Sequence, residues 1–222
     1  MIGIIVAMDK EQSLLLPLLN NVRDFFKDGY TFYLGNIGEK QVSLMKCGIG
    51  KVNAALATRA MIENFAPEVI LNSGVAGGVG SHAKIMDVVV ADAIAYCDVW
   101  CGPGTTFGQA ADCPLYFETL RLQYDFESNN IKKGLICSSD KFISSIEDVR
   151  FIKSHFPEVI AVDMESGAIA QTCYLNNTPF MVIRVVSDTP GEDDNISQYE
   201  NFWEKAPEAT FNIIREILLQ CF

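Results

Sequence analysis

The sequence predicts an α/β fold: one domain over residues 1–222, in three α/β/α layers around a central mixed, mostly parallel twisted sheet. Three observations predict it. Short apolar runs alternate with helix-patterned segments along the whole chain. Several runs, such as "IGIIVAM" and "VIAV", are continuous in branched aliphatics, the pattern of strands covered on both faces. No repeat, low-complexity tract or domain linker interrupts them.

The first strand is Ile2–Ala7, an apolar run at the very start. Lys10–Leu19 follows as a helix with an acid, Glu11, in its first turn. Strands Thr31–Gly35 and Gln41–Cys47 come next, then a helix over Lys51–Asn64. Val69–Asn72 and Asp87–Ala91 are strands. Leu115–Glu127 has a helical pattern. Gly134–Ser138 is a strand, Ile146–Lys153 a helix and Val159–Val162 a strand. Glu165–Leu175 is a helix of small and apolar residues. Phe180–Ser187 is the last strand and Phe202–Leu219 the last helix. The least regular part is Asp98–Pro114, a long Gly- and Pro-containing loop of the kind that carries function.

Of the 222 residues 49% are hydrophobic and 20% charged, enough apolar matter for a full core. The formal net charge is -11 and the pI about 4.6. That acidity argues against a grip on nucleic acid or an anionic membrane, both of which need clustered Lys and Arg. Solubility explains the charge. The seven Cys are scattered, several in apolar runs, and act as small hydrophobes. No basic segment leading into a long apolar stretch opens the chain, and no run is long enough to span a bilayer. Reduced thiols in a cytoplasmic protein are the expectation.

Ligands in open α/β sheets bind beyond the carboxyl ends of the strands. The residues that follow the strands read "MDKE", "GIGK", "SGVAGG", "SDKF", "DMES" and "RVVSD". Four of these six carry an acid, and the rule brings them to one pocket. Glu11, Asp163, Glu165 and Asp188 each have a bland role open to them as a helix cap or turn residue. Of Asp163 and Glu165, one is expected to be structural. Three acids at three strand ends together with Arg184 point to a site. "GIGKVN" fails as a dinucleotide fingerprint, because Asn53 replaces the third glycine, and as a phosphate loop, because Val52 follows the lysine. "NSGVAGG" fits either a tight turn or close approach of backbone to a ligand. Cys97, Cys101 and Cys113, with only His82 and His155 in the chain, lack zinc spacing, so no metal is expected. Phe107, Phe142, Tyr199, Phe202 and Trp203 are packing aromatics by default; a flat ligand would use some of them.

"GIIVAMDKE", "CGIGKVNAA", "NSGVAGG", "SDKFI", "VDMES" and "RVVSD" occur in the order and spacing of the bacterial 5′-methylthioadenosine/S-adenosylhomocysteine nucleosidases. The resemblance covers nearly the whole chain, and "DMES" followed about twenty residues later by "RxxSD" is its most specific part. It implies a nucleoside phosphorylase-like fold and hydrolysis of the N-glycosidic bond of 5′-substituted adenosines, without a cofactor. It implies that Glu11 activates water, Asp188 protonates adenine N7, Glu165 holds the ribose hydroxyls and Arg184 sits near the water and carboxylates. Met8 and Met164 would line the sugar pocket; Phe142 and Ile143 would frame the base, beside the Val75–Ala76–Gly77 strand end. Tyr199 would close over the 5′ substituent. The family is homodimeric, and Asp98–Phe107 would complete the partner's 5′ pocket. Val75 stands where many members have Ser, which leaves Asp188 with one fewer polar neighbour. "CDVWCGPGTTFGQ" also departs from the best-known members and bears on the 5′ substituent. A purine nucleoside phosphorylase, kept open by Lys10 and Lys51, a futalosine-type hydrolase and a non-catalytic nucleoside-binding protein are the alternatives.

Cleaving this bond leaves positive charge on the sugar and negative charge on the base. One acid must be protonated and another ionised, so their environments have to differ.

Overall fold

The computed structural model describes residues 1–121, 130–205, 215–217 and 219. The chain forms strands β1 (Ile2–Val6), β2 (Asn20–Lys27), β3 (Tyr30–Ile37), β4 (Lys40–Lys46), β5 (Val69–Gly78), β6 (Val88–Tyr96), β7 (Phe117–Glu118), β8 (Ile131–Ser138), β9 (Val159–Asp163) and β10 (Phe180–Asp188). Its helices are α1 (Asp9–Leu15), α2 (Lys51–Phe65), α3 (Ile146–His155), α4 (Ser166–Leu175) and α5 (Asn195–Lys205).

All ten strands join one mixed sheet in the order β10-β6-β8-β9-β5-β1-β4-β3-β2, with β7 on β6. β10 also pairs with β5, so β5, β10, β6, β8 and β9 close into a ring from which β1, β4, β3 and β2 extend. The pairs β1–β4, β1–β5, β5–β10, β6–β8 and β8–β9 are parallel. The pairs β10–β6 and β5–β9 are antiparallel, and β5 meets β9 only through its last residues, Gly77 opposite Val162 and Gly78 opposite Ala161, which brings the carboxyl ends of the two parallel groups together where the site forms.

Strand alternation in β1, β5 and β10 sorts their core residues into two sides. Ile5, Ile70 and Val182 pack with Ala54, Ala57 and Met61 of α2 and Ala168, Ile169 and Cys173 of α4. Ile4, Val6, Leu71 and Ile183 pack with Leu15 of α1 and Phe202 of α5. The small residues of α4 are a packing requirement. A Cβ on Gly167 would stand 2.5 Å from the ring of Tyr96.

Several segments differ from the sequence-based expectation. The first helix stops at Leu15 and becomes a 3-10 turn over 16–18, because Pro17 cannot continue it. Asn20–Lys27, expected as a connection, is an edge strand on β3; all eight residues are exposed, so it lacks the alternating burial that reveals strands. The expected helix Leu115–Glu127 is instead the short strand β7 at Phe117–Glu118, where Phe117 pairs with Ile94 and is buried; its part at 122–127 lies outside the described residues. The last helix begins seven residues early, at Asn195, and so takes in Tyr199; beyond Lys205 it is helical where described, at 215–217 and 219. β5 also runs on through "NSGVAGG" to Gly78, so that motif is strand and makes no turn.

Candidate active site

The six strand ends do converge. They surround a cavity of about 400 Å³. Ala7, Met8 and Glu11 line it from the end of β1, Ile49 from the end of β4, and Val75, Ala76 and Gly77 from β5. Lys141, Phe142 and Ile143 follow β8; Val162–Glu165 end β9; Ser187 and Asp188 end β10. Ile196, Tyr199 and Glu200 of α5 form the remaining wall. Every substrate-contact residue expected from the sequence lines this cavity: Met8, Val75, Ala76, Gly77, Phe142, Ile143, Met164 and Tyr199. So do Glu11, Glu165 and Asp188, whereas Arg184 stands behind the wall and is 1% exposed.

Glu11 sits in the first turn of α1, where its carboxylate folds back on the backbone. Oε2 accepts from the N–H groups of Ala7 (2.8 Å) and Met8 (3.0 Å), and Oε1 from Val75 N–H (3.0 Å). Burial pushes its pKa up, while the Arg184 charge and the three amides pull it down. Gly74 leaves room for this: a Cβ there would lie 2.5 Å from Glu11 Oε1. The close approach expected of "NSGVAGG" is thus made to a side chain of the protein itself.

Of the two acids at the end of β9, one was expected to be structural, and Asp163 has the partners of a structural residue. Asp163 accepts from Ser166 Oγ (2.8 Å) and N–H (3.3 Å), capping α4. Its other oxygen takes Arg184 Nε (2.9 Å) and Nη2 (2.6 Å), a buried ion pair. The side-chain oxygen and carbonyl of Asn72 and the carbonyl of Ile183 take the guanidinium's other bonds. Glu165 caps nothing with its side chain. Oε1 accepts from Gly50 N–H (2.9 Å), at a glycine whose φ of 94° favours that residue type. Burial, then the Asp163 charge, push the Glu165 pKa up to about 7.

Asp188 ends β10 and is 2% exposed. Ser187 Oγ donates to Oδ1 (2.6 Å) and Asn195 Nδ2 donates to Oδ2. Burial raises its pKa, against these two hydrogen bonds. Val75 meets Glu11 through its backbone, and Asn195 supplies Asp188 with a polar neighbour that the sequence reading did not find. Asn195 lies seven residues beyond Asp188, so no local motif announces it. Gly50, Asn72 and Ser187 were missed for a similar reason: their contacts join distant segments or depend on the local backbone path.

Of the cations near the cavity, Lys51, Lys141 and Arg184 are paired with aspartates. Lys51 Nζ meets Asp98 and lies 4.5 Å from the centre of the Tyr96 ring; its N–H donates to Asp140 (2.8 Å). Lys141 Nζ holds both oxygens of Asp148. Lys10 Nζ lies over Trp203. The described cysteines are free; Cys101 is exposed and the others are buried.

The fold with its cavity of buried carboxylates is that of the phosphorylase superfamily, whose family model matches residues 1–219. Over 229 aligned residues the chain is 38% identical to the 5′-methylthioadenosine/S-adenosylhomocysteine nucleosidase of Listeria monocytogenes, with 98% of each chain covered. The Streptococcus pneumoniae enzyme of that name, solved with the transition-state inhibitor MT-ImmA, superposes with a TM-score of 0.92 at 35% identity, covering 98% of this chain and 97% of that one. The Colwellia psychrerythraea enzyme, solved with adenine, gives 0.89 at 34% identity, covering 99% and 95%. The chain belongs to the 5′-methylthioadenosine/S-adenosylhomocysteine nucleosidase family.

Proposed function

We propose that this protein hydrolyses the N-glycosidic bond of 5′-methylthioadenosine, S-adenosylhomocysteine and related 5′-substituted adenosines to adenine and the free ribose derivative. One observation carries the reading: a single cavity holds Glu11, clasped by three amides, and Asp188, held by two side chains, with Glu165 between them in the chain. Glu11 takes a proton from water as its oxygen bonds to C1′. The C1′–N9 electrons pass to adenine as Asp188 delivers a proton to N7. Glu165 accepts hydrogen bonds from the ribose hydroxyls, each contributing about 1.5–3 kcal/mol. Phe142 and Ile143 frame the base, and Met8, Met164 and Tyr199 line the sugar and its 5′ group. Arg184 acts through Asp163 and by offsetting the Glu11 charge. No step calls for a cofactor.

Phosphorolysis fits less well. An attacking phosphate needs cations, and Lys51, Lys141 and Arg184 are each taken by an aspartate of the chain. Gly50 N–H and Lys51 N–H, at the start of α2, already hold Glu165 and Asp140. The test is base release from methylthioadenosine, S-adenosylhomocysteine, adenosine and futalosine, with and without phosphate. Adenine release from the first two in phosphate-free buffer is expected; release only with phosphate refutes hydrolysis.

We also propose a homodimer, a reading supported by exposed apolar residues at the start of α2. Ile49, Val52 and Leu56 form an exposed apolar stripe at the start of α2, and Trp100 is 60% exposed. Ile49 also belongs to the cavity wall. No residue of Asp98–Phe107 lines this chain's own cavity, and Phe107 stacks on His155 of α3. We assign that loop to the partner's 5′ pocket. Sedimentation should give a dimer, and Leu56→Glu a monomer with weakened binding of 5′-alkylthio nucleosides. Buried free thiols favour the cytoplasm. No helix among the described residues is long and apolar enough to cross a membrane.

A further inference from the structure

We propose that Asn195 is a positioning residue for Asp188, and that its amide turns over as Asp188 changes between acid and carboxylate. The inference rests on Asp188 as proton donor and concerns how the chain manages that proton.

Asn195 is 2% exposed and opens α5. Its Nδ2 donates to Asp188 Oδ2, while its own Oδ1 is buried without a hydrogen-bond partner. A buried amide oxygen left unpaired is costly. A half-turn about the last side-chain bond exchanges the two atoms. Oδ1 then faces Asp188 and accepts the O–H of the protonated acid. When the proton leaves for the base, the original orientation returns an N–H to the new carboxylate. Ser187 does the same on the other oxygen, because a hydroxyl both donates and accepts. Asp188 therefore has a partner on each oxygen in either state.

The position of Asn195 adds a second consequence. Ile196, Tyr199 and Glu200, on the same helix, form the cavity wall. The contact thus fixes Asp188 relative to the surface that touches the nucleoside. Other ionisable groups face Asp188 from several sides. Glu11 and Glu165 lie across the cavity; Tyr199 and Glu200 come from α5; Lys141, paired with Asp148, follows β8; Arg184, paired with Asp163, precedes it on β10. Asn195 and Ser187 are the side chains bonded to its carboxylate among the described residues.

The test is the pH profile of kcat/KM for methylthioadenosine. Asn195→Ala should lower kcat on the order of 10- to 100-fold, the size of a hydrogen bond to a developing charge. KM should stay within about threefold, since binding contacts are retained. The bond to the carboxylate is charge-assisted and stronger than the bond to the neutral acid, so losing both raises the Asp188 pKa and the alkaline limb should move to higher pH. Asn195→Ser keeps a hydroxyl that both donates and accepts, one bond nearer the backbone, so it should recover part of both effects, and it carries the test if the alanine variant does not fold. A parental rate, or a slowed variant whose alkaline limb has not moved, overturns the proposal. Asp188→Asn is measured alongside. If it keeps near-parental turnover, the proton-donor reading itself has failed; if it is inactive while Asn195→Ala is parental, only the role of Asn195 has.

Discussion

The two ends of the cavity solve opposite problems with the same functional group. At the β1 end, the Glu11 carboxylate is held by three backbone N–H groups, with Arg184 behind them. At the β10 end, Asp188 is held by a hydroxyl and an amide side chain, and no cation contributes to its shift. Burial raises the pKa of both groups. Backbone N–H groups can only donate, so they favour the anion. A hydroxyl and a primary amide satisfy either state. Burial acts on both groups alike, so in the proposed mechanism it is the surroundings, with Arg184 and N–H donors at Glu11 and adaptable side chains at Asp188, that separate base from acid.

Removing either acid breaks the comparison most severely. Asp188→Asn should cost about 10²–10⁴ in turnover, the usual size of a general-acid contribution, with nucleoside binding retained. Glu11→Gln should cost a similar factor, and here binding and stability should suffer too. A glutamine presents an NH2 group to a cluster of N–H donors, which an aspartate-to-asparagine change at the other end does not, because its neighbours can turn. Single-turnover base release and calorimetric binding separate the two outcomes. Equal stability loss at both ends would contradict the distinction between fixed and adaptable donors.

Arg184→Leu tests the charge behind Glu11. It leaves Asp163 buried without its partner, and breaking such a pair costs about 3–5 kcal/mol. Urea denaturation should show that loss. In the folded fraction Glu11 should be harder to ionise, so activity should fall most at low pH.

Glu165 gives a third, smaller effect. Its folded pKa of about 7 lies above the ordinary carboxylate value, so the empty folded protein holds a proton that the unfolded chain has released. The corresponding stability is present below about pH 4.5 and is lost as pH rises through about 7, on the order of 3 kcal/mol in all. Melting temperature should decline across that window, and Glu165→Gln should flatten the decline. Nucleoside affinity should run the other way, rising through pH 7 in the parent, because the ribose hydroxyls bond the anion.

These contrasts were only half legible in the sequence. The strand ends and their acids were readable because each sits next to a continuous apolar run, and the rule for parallel strands gathers such ends together. Asp163 and Glu165 were recognised as a divided pair, although which was structural depended on Arg184 reaching back from β10, 21 residues on. The donors were not readable. Asn195 reaches Asp188 only because α5 begins before the apolar pattern that marks Phe202 onwards. Gly50 reaches Glu165 across 115 positions of sequence. Edge strand β2 carries no burial on either face, so periodicity had nothing to register.

The finest test of the comparison is Gly74→Ala. A Cβ at that position would meet Glu11 Oε1 at 2.5 Å and its Cδ at 3.1 Å. Glu11 cannot swing aside freely, because Ala7 and Met8 hold its other oxygen. The added methyl should therefore pull Oε1 from Val75 N–H, at an overpacking cost of about 1–3 kcal/mol. Turnover should drop roughly tenfold, one factor of ten being about 1.4 kcal/mol. The direction on pH is the more telling result. With one donor gone, the Glu11 pKa rises, less of the base is ionised at a given pH, and the acid limb moves up. The alkaline limb, set by Asp188, should stay in place. An alkaline limb that moved with it would mean that the two carboxyls titrate as one unit, and the division between a fixed base and an adaptable acid would fall.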